Sequence, residues 1–409
     1  MDEMLMSNDI ISRQEIFTLK QFYDLMAKTR DLRLQIVENI FNNRPLTSTC
    51  IDSLANAHAS LANIPLEQKK RILVISGSKR ITVDLTYEIT ELEKDIFYLE
   101  NGEPAFIKYL EKIHSDFRMH LDIGAMKLKG MQFNCFMTDR DGTINNYCGR
   151  YRSSVQSVYN SVFIARFAKK RTACPIILTS APLENFGIVD VSVSPEKTLI
   201  YAASKGREFI DLTGKRRYCH IDGQKQILLD KLNQRLSDLV KDPSFEKFSL
   251  IGSGLQLKFG QTTIARQNIT NSISEDESDA FLKKIREIVF ELDPKRKNFI
   301  IEDTGLDIEI ILTIEVSQCG VKDFDKADAV KYLNSELNFD MTKGPHLVCG
   351  DTSSDIPMIK AFSDKTEDTW SIFVTKDNEL AGKVKYICPN SIIVPEPDML
   401  VAILSFLSI

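Results

Sequence analysis

The sequence predicts a multidomain chain of α and α/β class, and three observations carry that prediction. Apolar residues recur at helical spacing through residues 14–128. After Gly130, short apolar runs alternate with helical stretches, the texture of a parallel α/β sheet. Residues 209–318 instead cluster strands and helices, as an α+β unit inserted into that α/β domain would. The expected units are 1–128, then 129–208 together with 319–409, with 209–318 between the two halves.

In the first unit Phe22, Leu25, Thr29, Leu32, Ile36 and Ile40 step by three or four residues. Pro45 ends that helix, and Thr47 or Ser48 can cap the next, which carries Ile51, Leu54, His58 and Leu61. Ile81, Leu85, Ile89, Leu92, Ile96 and Leu99 continue as a seam under three heptads long, so an antiparallel bundle is expected rather than a long coiled coil. Phe106 to Leu121 form a last helix after Pro104, and Gly124 and Gly130 mark a hinge. Beyond it, 133–137, 175–179, 346–349 and 371–375 read as strands, with helices at 155–167 and 357–362. The inserted unit has strands expected at 248–257, 262–266, 298–301 and 307–313, and helices at 224–240 and 276–292.

The chain has 409 residues, which at roughly 150 per domain suits two or three domains. Lys plus Arg number 52 and Asp plus Glu 57, a formal charge of −5 that argues against wrapping nucleic acid through its phosphates. The first residues lack a signal-peptide layout, and the longest apolar stretch, near Leu400, falls far short of the roughly 20 residues that span a bilayer. Eight scattered cysteines without a C-x-x-C pair argue against a zinc site and suit reduced thiols in a cytoplasmic protein. The basic run Lys169, Lys170 and Arg171 reads as a solvated helix end.

The strongest chemical signal is Asp139-Arg-Asp141-Gly142-Thr143, directly after an apolar strand. Ligands of open α/β sheets bind at the carboxyl ends of strands. A strand puts residues i and i+2 on one side, and the glycine turn folds the chain over the site. One Asp can attack while the other handles protons; an ordinary Asp-Gly turn with solvated acids is the rival reading. The second signal is Gly350-Asp351-Thr-Ser-Ser-Asp355, again after an apolar strand. Between them lie Thr179-Ser180 at a strand end and Asp325-Lys326 at a helix start. Ser180 competes with Thr179, and Lys322 with Lys326; Asp355 could simply cap the helix that follows.

This ordered set resembles the haloacid dehalogenase-type phosphatases, and within them the trehalose-6-phosphate phosphatases, most of all the nematode form with a helical N-terminal domain. Asp139 to Cys148, Leu178 to Leu183, Gly206-Arg207-Glu208, Gly252 to Lys258 and Gly350 to Met358 carry the likeness. The resemblance implies a doubly wound parallel core, an inserted α+β cap and a Mg²⁺-dependent hydrolysis of a sugar phosphate, trehalose 6-phosphate. Asp139 would be the nucleophile and Asp141 the proton donor and acceptor, with Thr179 and Lys326 on phosphoryl oxygens. Asp139, Asp351 and the Asp141 carbonyl would hold the metal, and Asp355 would orient Asp351 or Lys326. Arg207, Glu208, Gln256, Lys258 and Glu309 would read the sugar. Another sugar phosphate, of the sucrose or glucosyl-glycerol type, is the nearest alternative.

Three positions depart from the pattern: Arg140 between the two acids, Ala327 after the lysine, and Gln256 where relatives often carry Glu. A non-catalytic interaction protein working through residues 1–128 would be free to lose Asp139, Asp141, Lys326 or Asp351, and all four are intact. The helical unit is expected to serve oligomerisation or partner docking. No nucleic-acid or membrane partner is expected.

Overall fold

The computed structural model describes residues 10–67, 70–76, 79–316 and 320–408. Residues 1–9, the start of the N-terminal stretch without a signal-peptide layout, and Cys319 lie outside them.

The first helix, Leu19–Phe41, opens on a capping box in which Thr18 and Gln21 satisfy each other's backbone N–H groups. It buries Phe22, Leu25, Met26, Leu32 and Ile36 along one stripe, each contributing roughly 1.5–3 kcal/mol. Ser48–Ala62 follows. The seam expected from Ile81 onward is broken, because three strands precede the helix and pair as an antiparallel ribbon: Leu66–Glu67, Lys70–Ser76 and Lys79–Val83. Ile81 and Val83 alternate with polar neighbours and lie buried, as strand pleating requires. The helix starts only at Thr86, whose N–H bonds the Asp84 carboxylate.

That helix runs to Ile113 across a break at Gly102 (φ 75°), so Pro104 restarts it. The expected single helix from Phe106 to Leu121 is two helices, since Asp116 (φ 56°) interrupts it before Phe117–Leu128. Of the expected hinge glycines, only Gly130 (φ 75°) has a hinge conformation. Gly124 lies mid-helix against Ile403, where an added Cβ would come within 2.5 Å of the isoleucine.

The core is an eight-stranded sheet in the order Ser391–Val394, Thr369–Val374, His346–Gly350, Phe133–Thr138, Thr172–Leu178, Ile200–Ala203, Glu208–Ile210, Arg216–Tyr218. The first six strands are parallel; Glu208–Ile210 pairs antiparallel to the sixth and Arg216–Tyr218 antiparallel to it in turn. The boundary expected at 208/209 therefore runs through a strand of this sheet. Helices cover it, among them Val158–Arg171 and Pro397–Leu407. The basic end of the former is not merely solvated: Lys170 and Arg171 donate to the carbonyls of Ser408 and Leu407, where a helix terminus concentrates negative potential.

The inserted unit holds a four-stranded antiparallel sheet, Phe299–Asp303, Asp307–Leu312, Gln261–Ala265 and Leu255–Lys258, with helices Gly223–Leu239 and Glu275–Leu292. The strand expected at 248–257 starts only at Leu255, because Glu246–Ser249 is a helical turn and Gly252 and Gly254 have positive φ. Among the described residues no helix is long and apolar enough to cross a membrane.

Candidate active site

Asp139 follows directly on the strand Phe133–Thr138, and its N–H bonds the Cys349 carbonyl of the neighbouring strand. That pairing brings two acidic strand ends together. Asp351 follows Gly350 on the other strand, and Thr143 bridges the two: its hydroxyl lies 2.9 Å from Asp351 Oδ1 and 3.4 Å from Asp139 Oδ2. Gly142 (φ 87°) is required here, since a Cβ would sit 2.2 Å from Asp351 Oδ2. One carboxylate oxygen each from Asp139, Asp351 and Asp355 lie within 4.8 Å of one another.

Lys326 opens the helix Lys326–Leu337, behind Asp325 as N-cap. Its Nζ lies 2.6 Å from Asp139 Oδ1 and 2.5 Å from Asp355 Oδ1. Lys322, its competitor in the sequence, instead pairs with Asp325 and Asp328. Asp355 also accepts the N–H groups of Asp351 and Thr352 at 3.0 Å. Its oxygens are thus committed to holding the loop and the lysine.

The charge states follow from this wiring. Burial pushes Asp139 up to about 7; Lys326 opposes the rise while Asp355 and Asp141 add to it. Burial, then Asp139 and Asp355, push Asp351 up to about 8. Asp355 goes the other way: burial raises it, but Lys326 and the backbone N–H groups outweigh burial and hold it below the usual carboxylate range. Lys326 is held above the ordinary lysine range, since Asp139 and Asp355 outweigh its burial. Fully ionised, the three carboxylates would exceed the one lysine by two charges, and hard oxygen donors are free on Asp139 and Asp351. That donor set fits a hard divalent cation such as Mg²⁺.

Asp141 lies beside this cluster. Arg140, the departure noted in the sequence, turns inward and is buried; its guanidinium lies 2.5 Å from Asp141 Oδ1 and also bonds Ser154. The Ser154 hydroxyl donates to the same Asp141 oxygen at 3.0 Å.

Two cavities meet over these groups. One, of about 500 Å³, is lined by Asp139, Lys205, Lys326, Asp351 and Thr352 on the core and Glu302 on the inserted sheet. The other, of about 170 Å³, is lined by Gln256, Lys258, Thr263 and Asp307 on the inserted sheet and Cys148 and Tyr151 below. Asp141, Tyr147, Thr179, Ser180 and Glu309 border both. Thr179 and Ser180 thus both reach the cleft. Volume alone does not locate it, because the hollow beside Cys219 and Tyr332 measures about 760 Å³ and, among the described residues, brings no three acids close enough to share an ion.

Of the residues expected to read the sugar, Gln256, Lys258 and Glu309 line the cleft. Arg207 and Glu208 do not border either cavity. Arg207 donates to the carbonyls of Gly260 (2.6 Å) and Leu312 (2.8 Å), tying the inserted sheet to the core, and burial lowers it to about 10. Glu208 accepts from Ser204 and the Leu183 N–H, bracing the loop after Thr179. Tyr147, Thr263, Asn268 and Asp307 were not singled out in the sequence. Asp307 Oδ1 and Thr263 Oγ1 are buried without a partner, the state of groups set aside for a ligand. Only their alternation with Glu309 and Gln261 along facing strands could have marked them.

Comparison with known proteins agrees across the chain. The profile described as "Trehalose-6-phosphate phosphatase, C-terminal" matches residues 136–400. The profile "Trehalose-6-phosphate phosphatase N-terminal helical bundle domain" matches 18–117. An alpha,alpha-trehalose-phosphate synthase (UDP-forming) 2 of Aphelenchoides avenae is 33% identical over 96% of this chain and 32% of that protein. The chain thus spans about a third of the length of that relative. A trehalose-phosphatase of Caenorhabditis briggsae is 30% identical, covering 77% of this chain and 79% of that one. A trehalose-phosphatase of Brugia malayi is 27% identical over 93% and 83%.

Proposed function

This chain belongs to the trehalose-6-phosphate phosphatase family, and from that premise we propose that it hydrolyses trehalose 6-phosphate to trehalose and inorganic phosphate. The observation that carries the reading is Lys326, whose Nζ touches Asp139 and Asp355 at the carboxyl edge of the sheet, facing Gln256, Lys258 and Glu309 across the cleft. A phosphoryl group fits beside the lysine and a polyhydroxylated sugar fits beside the amide, amine and carboxylate.

In this reading a carboxylate oxygen of Asp139 attacks phosphorus, and the bond from phosphorus to the sugar oxygen breaks. Asp141 donates the proton that the leaving oxygen takes. Arg140 and Ser154 occupy its Oδ1, which fixes the carboxyl group and leaves Oδ2 for that transfer. Asp141 then takes a proton from the water that cleaves the aspartyl-phosphate, regenerating Asp139. Thr179 and Lys326 hold phosphoryl oxygens, and Asp355 keeps Lys326 in place. Asp139, Asp351 and the Asp141 carbonyl would hold Mg²⁺, which when bound offsets the charge of the phosphate dianion and the nucleophile. Seven free cysteines among the described residues support a reducing, cytoplasmic setting.

Phosphate release from a panel of trehalose, sucrose and glucosyl-glycerol phosphates tests the reading. A clear preference for trehalose 6-phosphate, lost in Asp139→Asn, is expected. Equal rates across the panel would remove the trehalose assignment, and activity surviving Asp139→Asn would remove the mechanism.

A docking role for the N-terminal helices is supported by Met119, Ile123 and Met126, exposed in one row on the helix Phe117–Leu128. Sedimentation of the full chain and of Met126→Glu tests it; identical monomeric behaviour of both would remove self-association.

A further inference from the structure

We propose that the N-terminal ribbon belongs to the substrate-binding apparatus: Thr82 is a positioning residue that clasps the inserted unit's loop 267–273 over the cleft, closed around substrate and released for product exit. This inference rests on the phosphatase reading for its substrate and on geometry for the clasp.

The loop is a wall of the cleft. Gln267, Asn268 and Ile269 line the smaller cavity beside Asp141, Gln256 and Asp307. Ile269 also closes down on the core, since a Cβ on Gly149 would stand 2.5 Å from its side chain. The loop is knit to move as one piece. Asn268 Oδ1 accepts the Ser272 N–H (3.0 Å), and Gln267 Oε1 accepts the Ile273 N–H (3.0 Å).

Its outer fastening is the N-terminal ribbon. The Thr82 carbonyl accepts from Asn268 Nδ2 (3.2 Å) and from Thr270 Oγ1 (3.0 Å), and the two threonine hydroxyls are 3.0 Å apart. Thr82 is itself held in register with Ile72, and that strand is tied to the segment leading into the first helix by the Val74 N–H on the Phe17 carbonyl (2.9 Å). Two more contacts reach the same unit: the Tyr23 hydroxyl donates to the Leu250 carbonyl (2.8 Å), and Lys79 donates to the Pro243 carbonyl.

The inserted unit is therefore held twice. On one side the chain itself and Arg207 join it to the core. On the other, side-chain hydroxyls, an amide and an amine hold it to the N-terminal unit. Covalent linkers persist when the unit swings open; the second set cannot, unless the N-terminal unit follows. A loop that lines the cleft and is latched by breakable polar contacts sets how often the cleft is complete, and apparent affinity scales with that fraction.

Thr82→Val and Thr270→Val keep shape and remove the hydroxyl contact, and neither residue lines the cleft. Each is expected to raise KM for trehalose 6-phosphate about 3–10-fold with kcat within about 2-fold. Hydrolysis of the small ester 4-nitrophenyl phosphate should not change. Hydrogen exchange should quicken at amides 267–273 and stay constant in Phe133–Thr138. This readout needs no substrate, so it decides the clasp even if the chain hydrolyses no sugar phosphate and the functional reading falls. The Thr82→Cys/Thr270→Cys double variant, oxidised with glutathione disulfide, should lose about 10-fold or more in kcat and recover with dithiothreitol. The inference is overturned if KM and exchange both stay at wild-type values. A cross-linked protein that turns over at its reduced rate overturns it too, as does a cysteine pair that never links.

Discussion

Two buried charge clusters each draw a residue from the loop after the strand Phe133–Thr138, Asp139 in one and Asn146 in the other, and they are wired in opposite ways. In the first, Asp139 and Asp351 keep oxygens free and burial lifts both acids, to about 7 and about 8. In the second, Asp398 has every oxygen taken. Its Oδ1 accepts from Tyr159 (2.7 Å) and Asn146 (3.1 Å), and its Oδ2 from Lys94 (2.7 Å) and His114 (2.6 Å). Burial raises Asp398 as well, but Lys94 and these donors outweigh it and hold it far below the usual carboxylate range. The difference teaches how to tell a site from a joint. Burial is common to both; what differs is whether the donors close the shell or leave it open for an ion or a ligand.

The largest effect should come from emptying the open shell. Asp139→Asn is expected to lower phosphate release by about 10³-fold or more, since it removes the nucleophile. Its melting temperature, measured without metal at pH 8, should match or exceed wild type, because a neutral amide relieves the crowding of like charges. A large destabilisation would mean that the site is also a structural joint.

Asp398→Asn should do the reverse. Lys94 and His114 would face an amide in a buried place, at a cost of about 3–5 kcal/mol in urea unfolding. The rate per folded molecule should change little, because the cluster touches neither cavity. A cost under about 1 kcal/mol would break the distinction between the two clusters.

The two clusters were not equally legible in the sequence. Asp139, Lys326 and Asp351 stand out because catalysis demands acids at strand ends and a lysine at a helix start, and few other uses explain that order. Lys94 and Asp398 are 304 residues apart, and each alone reads as an ordinary helix-surface charge. The ribbon was hidden for a different reason. Ile81 and Leu85 fall by coincidence on a helical period that starts in earnest at Ile89, so a seam covered a strand. Arg207 and Glu208 carried family likeness but turn inward. Adjacency to a strand end places a backbone, while the direction of a long side chain depends on which carbonyls the rest of the fold offers it.

The pH response gives a subtler contrast. Asp139 and Asp351 bind protons more tightly folded than unfolded, so the metal-free protein loses stability as pH rises from about 4 through 7 and 8. Asp398 is depressed, so its stabilisation is present above about pH 4 and is lost as pH falls below that. Mg²⁺ competes with protons only at the open shell. Millimolar MgCl₂ should raise the melting temperature by about 2–5 °C at pH 8 and by under about 1 °C at pH 5. Equal shifts at both values, or a shift that persists in Asp139→Asn/Asp351→Asn, would put the ion elsewhere.

The smallest effect probes how the closed shell is shared. His114 is one of four donors to Asp398 and is only partly buried, with its side chain 15% exposed. Lys94 stands on the same oxygen at a similar distance. If the donors act separately, His114→Leu removes one charge-assisted bond and leaves the carboxylate served by three, for about 1–2 kcal/mol. If they act as one unit, the loss approaches that of Asp398→Asn, because a single gap lets water reach a carboxylate whose stabilisation depends on a dry, complete shell. Urea unfolding of His114→Leu, Asp398→Asn and the double variant separates these outcomes. A coupling energy near zero means four independent bonds, and one comparable to the His114 cost itself means a cooperative joint.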